Sequence, residues 1–148
     1  MNKKRKLIMI IISTCIVLFA SYNLSWLYFT RAKYNQFSND MQEIMANRTY
    51  VKQEDGYLYN VKYPDYLSFT GNLGVATDDE KHALLIWPSF FGKTEYGLQL
   101  VDEKNEMHSV MINIDRQAIN EEYRDLIEHN KETINILFNK AAKMWKDI

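Results

Sequence analysis

Residues 3–29 read KKRKLIMIIISTCIVLFASYNLSWLYF, four cations followed by 23 positions without a charge. On an α-helix rising about 1.5 Å per residue, the uncharged run is about 34 Å long, enough to cross a hydrocarbon core of about 30 Å. It closes on Trp26, Tyr28 and Phe29. Amphipathic rings favour the headgroup level, so these three are the expected membrane-interface residues. Arg31 and Lys33 follow, two cations against the four of Lys3–Lys6. That bias predicts a cytoplasmic tail over 1–6, a transmembrane helix over 7–29 and an extracytoplasmic domain over 30–148 at the cell membrane.

A cleaved export signal shares the first half of this pattern. Ser21, Tyr22, Asn23 and Ser25 weaken the run after Ala20. Cleavage after Ala20 or Ser21, however, would set Leu18 or Phe19 where a small residue is required. Ile12-Ser13-Thr14-Cys15 has a lipoprotein-like look, but Thr14 precedes the cysteine and apolar residues continue beyond it. The expectation is a retained anchor.

Working outward, charge separates the two parts. All 19 acidic residues follow Phe29, and only 14 of the 18 basic ones do, which leaves the outer part a formal charge of −5. Nucleic-acid binding calls for a basic face, and so does broad adsorption to anionic lipid; neither suits this balance. The sole cysteine, Cys15, lies in the apolar run. The outer part therefore holds no disulfide, thiolate nucleophile or cysteine metal site, and an exported domain that relies on its core alone fits a bacterial envelope. Asn47-Arg48-Thr49 matches a glycosylation acceptor by chance in that setting.

The outer part reads as α+β. Tyr34, Phe37, Met41, Ile44 and Met45 recur at helical spacing and predict a juxtamembrane helix over 30–46, packed on the domain's own sheet. No Gly or Pro separates it from the anchor, so one helix is expected to run straight on. Tyr57, Tyr59, Val61 and Tyr63 then alternate with Leu58, Asn60 and Lys62, a strand signature. Further strands are predicted over 66–77, 83–87, 95–101 and 107–114. Short polar turns join them, which makes an antiparallel meander of four to five strands. Ala83–Trp87 is apolar throughout and is expected to be central and covered on both faces. Ile119, Tyr123, Leu126, Ile127, Ile134, Leu137, Phe138, Ala141, Ala142 and Trp145 share a stripe interrupted only by Asn130. They predict one long C-terminal amphipathic helix, capped by Asp115 or Asn120 and laid on the sheet.

Catalytic patterns are scarce. His82 follows Asp78, Asp79 and Glu80, but the spacing matches no calcium loop and reads as a solvated turn. His108 and Ser109 are neighbours on a strand and point to opposite faces, so they cannot act together. His129, flanked by Asp125 and Glu132, reads as a solvent-face cluster. No phosphate-binding glycine loop, nucleophile elbow or zinc-protease helix occurs in the sequence. The expectation is a non-enzymatic module without a metal or cofactor. It is expected to be held at the bilayer by its helix and to dock on another envelope protein. The candidate interaction surface is the aromatic loop Trp87, Phe90 and Phe91 with Tyr96, since rings exposed on loops often meet partners. A ligand- or glycan-binding sensor using the same loop, or an envelope enzyme with an unrecognised site, is the alternative.

Overall fold

With neither Gly nor Pro between Lys3 and Phe37, those residues form one unbroken helix, α1 (Lys3–Phe37). The computed structural model describes residues 3–44, 48–89 and 92–146. The helix is long and apolar enough to cross a membrane. Its residues up to Ser21 are exposed along every face. From Tyr22 onward one stripe turns to protein: Trp26, Thr30, Tyr34 and Phe37 are buried, at the four- and three-residue steps of a helical face. The helix stops at Phe37, nine residues short of the expected Ala46. Ser38 N–H bonds back to the Tyr34 carbonyl, and Asp40 takes a left-handed φ of 62°. Gln42–Ile44 is then a strand, not a fourth helical turn. The spacing of Met41 and Ile44 imitated a helix; Met45 lies outside the described residues.

Among the described residues, seven strands make one antiparallel sheet in sequential order: β1 (Gln42–Ile44), β2 (Thr49–Glu54), β3 (Tyr57–Lys62), β4 (Asn72–Thr77), β5 (Ala83–Trp87), β6 (Glu95–Val101) and β7 (Met107–Ile112). The meander is as expected but has more strands than the four to five anticipated. β1 and β2 were missed because both are polar and exposed or half-buried along their length. Asp55-Gly56 joins β2 to β3 with both residues at positive φ, 52° and 74°, the geometry of a two-residue hairpin turn. Residues 66–70, expected in a strand, form a loop instead, and β4 begins only at Asn72.

Register divides the sheet into two faces. Tyr59, Val75, Leu84, Leu98 and Val110 lie in one cross-strand row, and all are buried. Against that face pack Tyr34 and Phe37 of α1 and Ile134, Leu137, Ala141 and Trp145. The long C-terminal helix is broken. A 3-10 turn (Glu121–Tyr123) leads into α2 (Arg124–His129), and α3 (Lys131–Met144) follows. Asn120 caps the start, its Oδ1 accepting from Glu122 N–H. The break falls at Asn130, whose side-chain amide donates to the Leu126 carbonyl at 2.9 Å. The same carbonyl also accepts from Asn130 N–H at 3.1 Å, and the backbone at Asn130 departs from helical values, with φ −97° and ψ 12°, so the polar interruption of the stripe is a joint. The opposite face carries Val51, Leu58, Leu85, Trp87 and Met111, all half-buried or exposed. The expected double coverage of β5 is therefore one-sided.

Candidate functional site

In a meander every second connection falls at the same end. The β1–β2, β3–β4 and β5–β6 connections and the stretch after β7 share one end of this sheet, and α1 reaches the domain there. The Trp26 indole N–H donates to the Ser68 carbonyl, and Lys33 Nζ donates to the Ser89 carbonyl at 2.9 Å. The Arg48 guanidinium sits over the Trp26 ring, 5.6 Å from its centroid. Three loops thus grip one helix. Farther on, the Tyr34 hydroxyl accepts from Gly71 N–H at 2.6 Å, inside the core. A side chain at Gly71 would meet both the Lys62 carbonyl of β3 and the Tyr34 ring of α1, so the close approach of the loop to strand and helix requires glycine. Burial raises the Tyr34 pKa, with the Gly71 bond working in the opposite direction.

The β3–β4 loop makes the densest contact with the apolar run. The Tyr22 hydroxyl donates to the Leu67 carbonyl at 3.3 Å, and the Tyr66 hydroxyl donates to Asn23 Oδ1 at 2.8 Å. Tyr22 meets Phe69 edge-on, and Trp26 meets Tyr66 the same way. The sequence offered one clue to this contact, the polar residues Tyr22 and Asn23 inside a run that had no other use for them.

The residues chosen from sequence are scattered. Trp26, expected at the headgroup level, is buried with only 6% of its surface exposed, and its ring is spent on the domain. Tyr28 and Phe29 lie on the exposed side of α1. Trp87 and Tyr96 fall on opposite faces, since Trp87 pairs with Glu95 while Ile86 pairs with Tyr96. Tyr96 is buried in the core, its ring 5.6 Å from that of Phe138. It is not available as a surface. Trp87 lies half-buried on the open face across Gly97, where a Cβ would come within 2.9 Å of the ring. Phe90 and Phe91 lie outside the described residues.

Two other places carry polar groups. In the β6–β7 turn, ligand-type atoms of Asp102, Glu106 and His108 lie within 4.8 Å of one another. The turn itself occupies Asp102: one carboxylate oxygen accepts from Lys104 and Glu106 N–H, and the other meets His108 Nε2 at 3.0 Å. The Glu106 N–H bond, then His108, holds the Asp102 pKa below the ordinary carboxylate range. A cleft of about 610 Å³ opens between the stretch after β7 and the C-terminal helices, with Arg116, Gln117, Ile127 and Lys131 in its wall. Four of its charges pair with one another, Arg124 with Glu121 at 2.9 Å and Lys131 with Glu128 at 2.9 Å, while Arg116 donates to Asn135 Oδ1 and lies over the Phe138 ring. His82 holds the β4–β5 turn through its backbone, which bonds Thr77 from both N–H and carbonyl. No family model matches the chain, and no curated protein or solved structure is similar enough to match.

Proposed function

We propose that the protein is a single-pass, non-catalytic interaction module of a bacterial envelope. Its basic tail lies in the cytoplasm and its domain outside, and it serves as an accessory subunit of another envelope protein. The observation that carries this reading is the continuity of α1, whose apolar half runs without a joint into Tyr34 and Phe37 of the core. A flexible tether suits a domain that searches for substrate. A helix that is both anchor and core element instead fixes the domain's height and heading over the bilayer, as a subunit that meets a neighbour in one orientation requires. The open sheet face around Trp87 and Met111, opposite the face on which α1 packs, then offers apolar surface to that neighbour.

The test is photo-crosslinking in native membranes, with a benzophenone amino acid placed at Met111 or Trp87. A discrete adduct of constant mass, absent when the probe is placed at Glu103 in a far turn, is the expected result. Free monomer at every position, together with monomeric migration after mild detergent extraction, overturns the proposal.

A further inference from the structure

We propose that the β3–β4 loop, through Tyr66 and Leu67, is a second membrane-contact site that enters the outer leaflet beside α1. The inference rests on the reading of α1 as a bilayer span. Only Leu7–Ser21 of the apolar run is free of the domain, because the contact stripe begins at Tyr22. Those fifteen residues reach about 22 Å, against a hydrocarbon core of about 30 Å. About five more residues of α1 must lie within the apolar layer to complete the span, which takes it to Trp26. The loop is docked on those same residues, at Tyr22, Asn23 and Trp26. It therefore shares their depth.

The loop is built for that depth. Tyr66 is 55% exposed and Leu67 61%, two large side chains side by side at a loop tip. Leu67 holds a left-handed φ of 70°, and it is the one apolar residue to do so among the described residues. A branched side chain pays for that conformation, and strain of this kind marks a position shaped for something other than stability. Irregular backbone facing lipid is confined to the boundary where headgroups and water still reach its polar groups. Part of this loop's backbone is already occupied within the protein: the Leu67 and Ser68 carbonyls accept from Tyr22 and Trp26, Ser68 N–H bonds to the Asp65 carbonyl, and Thr70 N–H bonds to Ser68 Oγ. Just above the tip, Lys62 pairs with Asp65 at 3.2 Å and Arg48 covers Trp26, at the level of lipid phosphates.

Depth-dependent quenching tests this on the full chain. Single cysteines replace Leu67, Val17 or Glu103 in a Cys15→Ser background. Each carries an environment-sensitive fluorophore, in vesicles that hold no other protein. Nitroxide groups sit either near the carbonyl end or near the methyl end of the lipid chains. The Val17→Cys label should be quenched by the deep nitroxide. The Leu67→Cys label should emit blue-shifted and lose most of its intensity to the shallow nitroxide. The Glu103→Cys label should be affected by neither. Asp65→Cys, beside the tip and 79% exposed, is the second reporter if the Leu67 label alters the circular dichroism spectrum. A quenched Val17 label with a Leu67 label as unaffected as that of Glu103 overturns the loop site and leaves the anchor standing. An unquenched Val17 label removes the anchor, and the loop site with it.

Discussion

Tyr34 shows how one hydroxyl ties the anchor to the domain. It is fully buried and is the acceptor for Gly71 N–H. Tyr34→Phe keeps the ring and strands that amide, which costs about 1–3 kcal/mol for an unsatisfied buried donor. Chemical unfolding of the full chain in detergent micelles should show that loss, and an unchanged midpoint would mean that the amide finds another partner. Asp102 makes a pH-dependent contribution. Its folded pKa lies below that of the unfolded chain, so the turn's stabilisation is complete above about pH 4 and is lost as pH falls through the folded value. Asp102→Asn should therefore lower the unfolding midpoint at neutral pH and flatten its fall in acid; parallel curves for the two proteins would refute the assignment. At this scale the sequence was partly legible. Alternation placed Tyr59 and Val61 on one face of their strand, which is the buried face, yet Trp87 and Tyr96 were grouped as one surface because both border the same loop. Only the register between β5 and β6 separates them, and pairing register is not written in either strand alone.

Elements were legible where burial leaves a periodic mark. β5 declared itself as an unbroken apolar run, β3 by its alternating tyrosines, and α3 by its stripe. β1 and β2 escaped because an exposed edge buries too little to impose a pattern, although Asp55-Gly56 carried a hairpin signal of its own. The C-terminal stripe was read correctly as amphipathic, but a stripe says nothing about a joint, and Asn130 provides one. The element that closes the molecule is the end of α3. Trp145 is 3% exposed, its indole N–H donates to the Phe37 carbonyl at 3.0 Å, and its ring meets Tyr59 edge-on. One side chain thus joins the last residue of α1, the C-terminal helix and β3. Trp145→Ala should cost about 3–5 kcal/mol, as for other large-to-small changes at buried aromatic positions. Trp145→Phe should recover most of the packing and lose only about 1 kcal/mol for the hydrogen bond. Hydrogen exchange is the sharper readout: the alanine variant should speed exchange of amides in 30–37 together with those of β3. Acceleration confined to 141–146 would mean that α1 is held independently.

For the whole molecule, the division of α1 at Tyr22 makes a mechanical prediction. Residues from Tyr22 to Phe37 make the contacts with the domain, and Leu7–Ser21 makes none, so on the proposed reading that stretch is left to the bilayer alone. Four apolar residues inserted after Ser21 leave every domain contact in place, so the unfolding midpoint should not move. They lengthen Leu7–Ser21 from about 22 to about 28 Å, close to the hydrocarbon thickness, so the domain is lifted rather than the helix tilted. The lift is about 6 Å, and at 3.6 residues per turn the domain also rotates by about 40°. A seven-residue insertion lifts it further, by about 10 Å, but returns the heading to within about 20° of the original. The two insertions separate height from orientation. Shallow-nitroxide quenching at Leu67 should fall in both. Crosslinking from Met111 should fall with the four-residue insertion, and it should recover with seven if heading matters more than height. On the proposed reading the far turns, with Asp55, Asp78, Asp79, Asp102 and Glu103, stay away from anionic headgroups in either case. If crosslinking ignored both insertions, the domain would be acting as though it were tethered, and the continuity of α1 would have no part in presenting it.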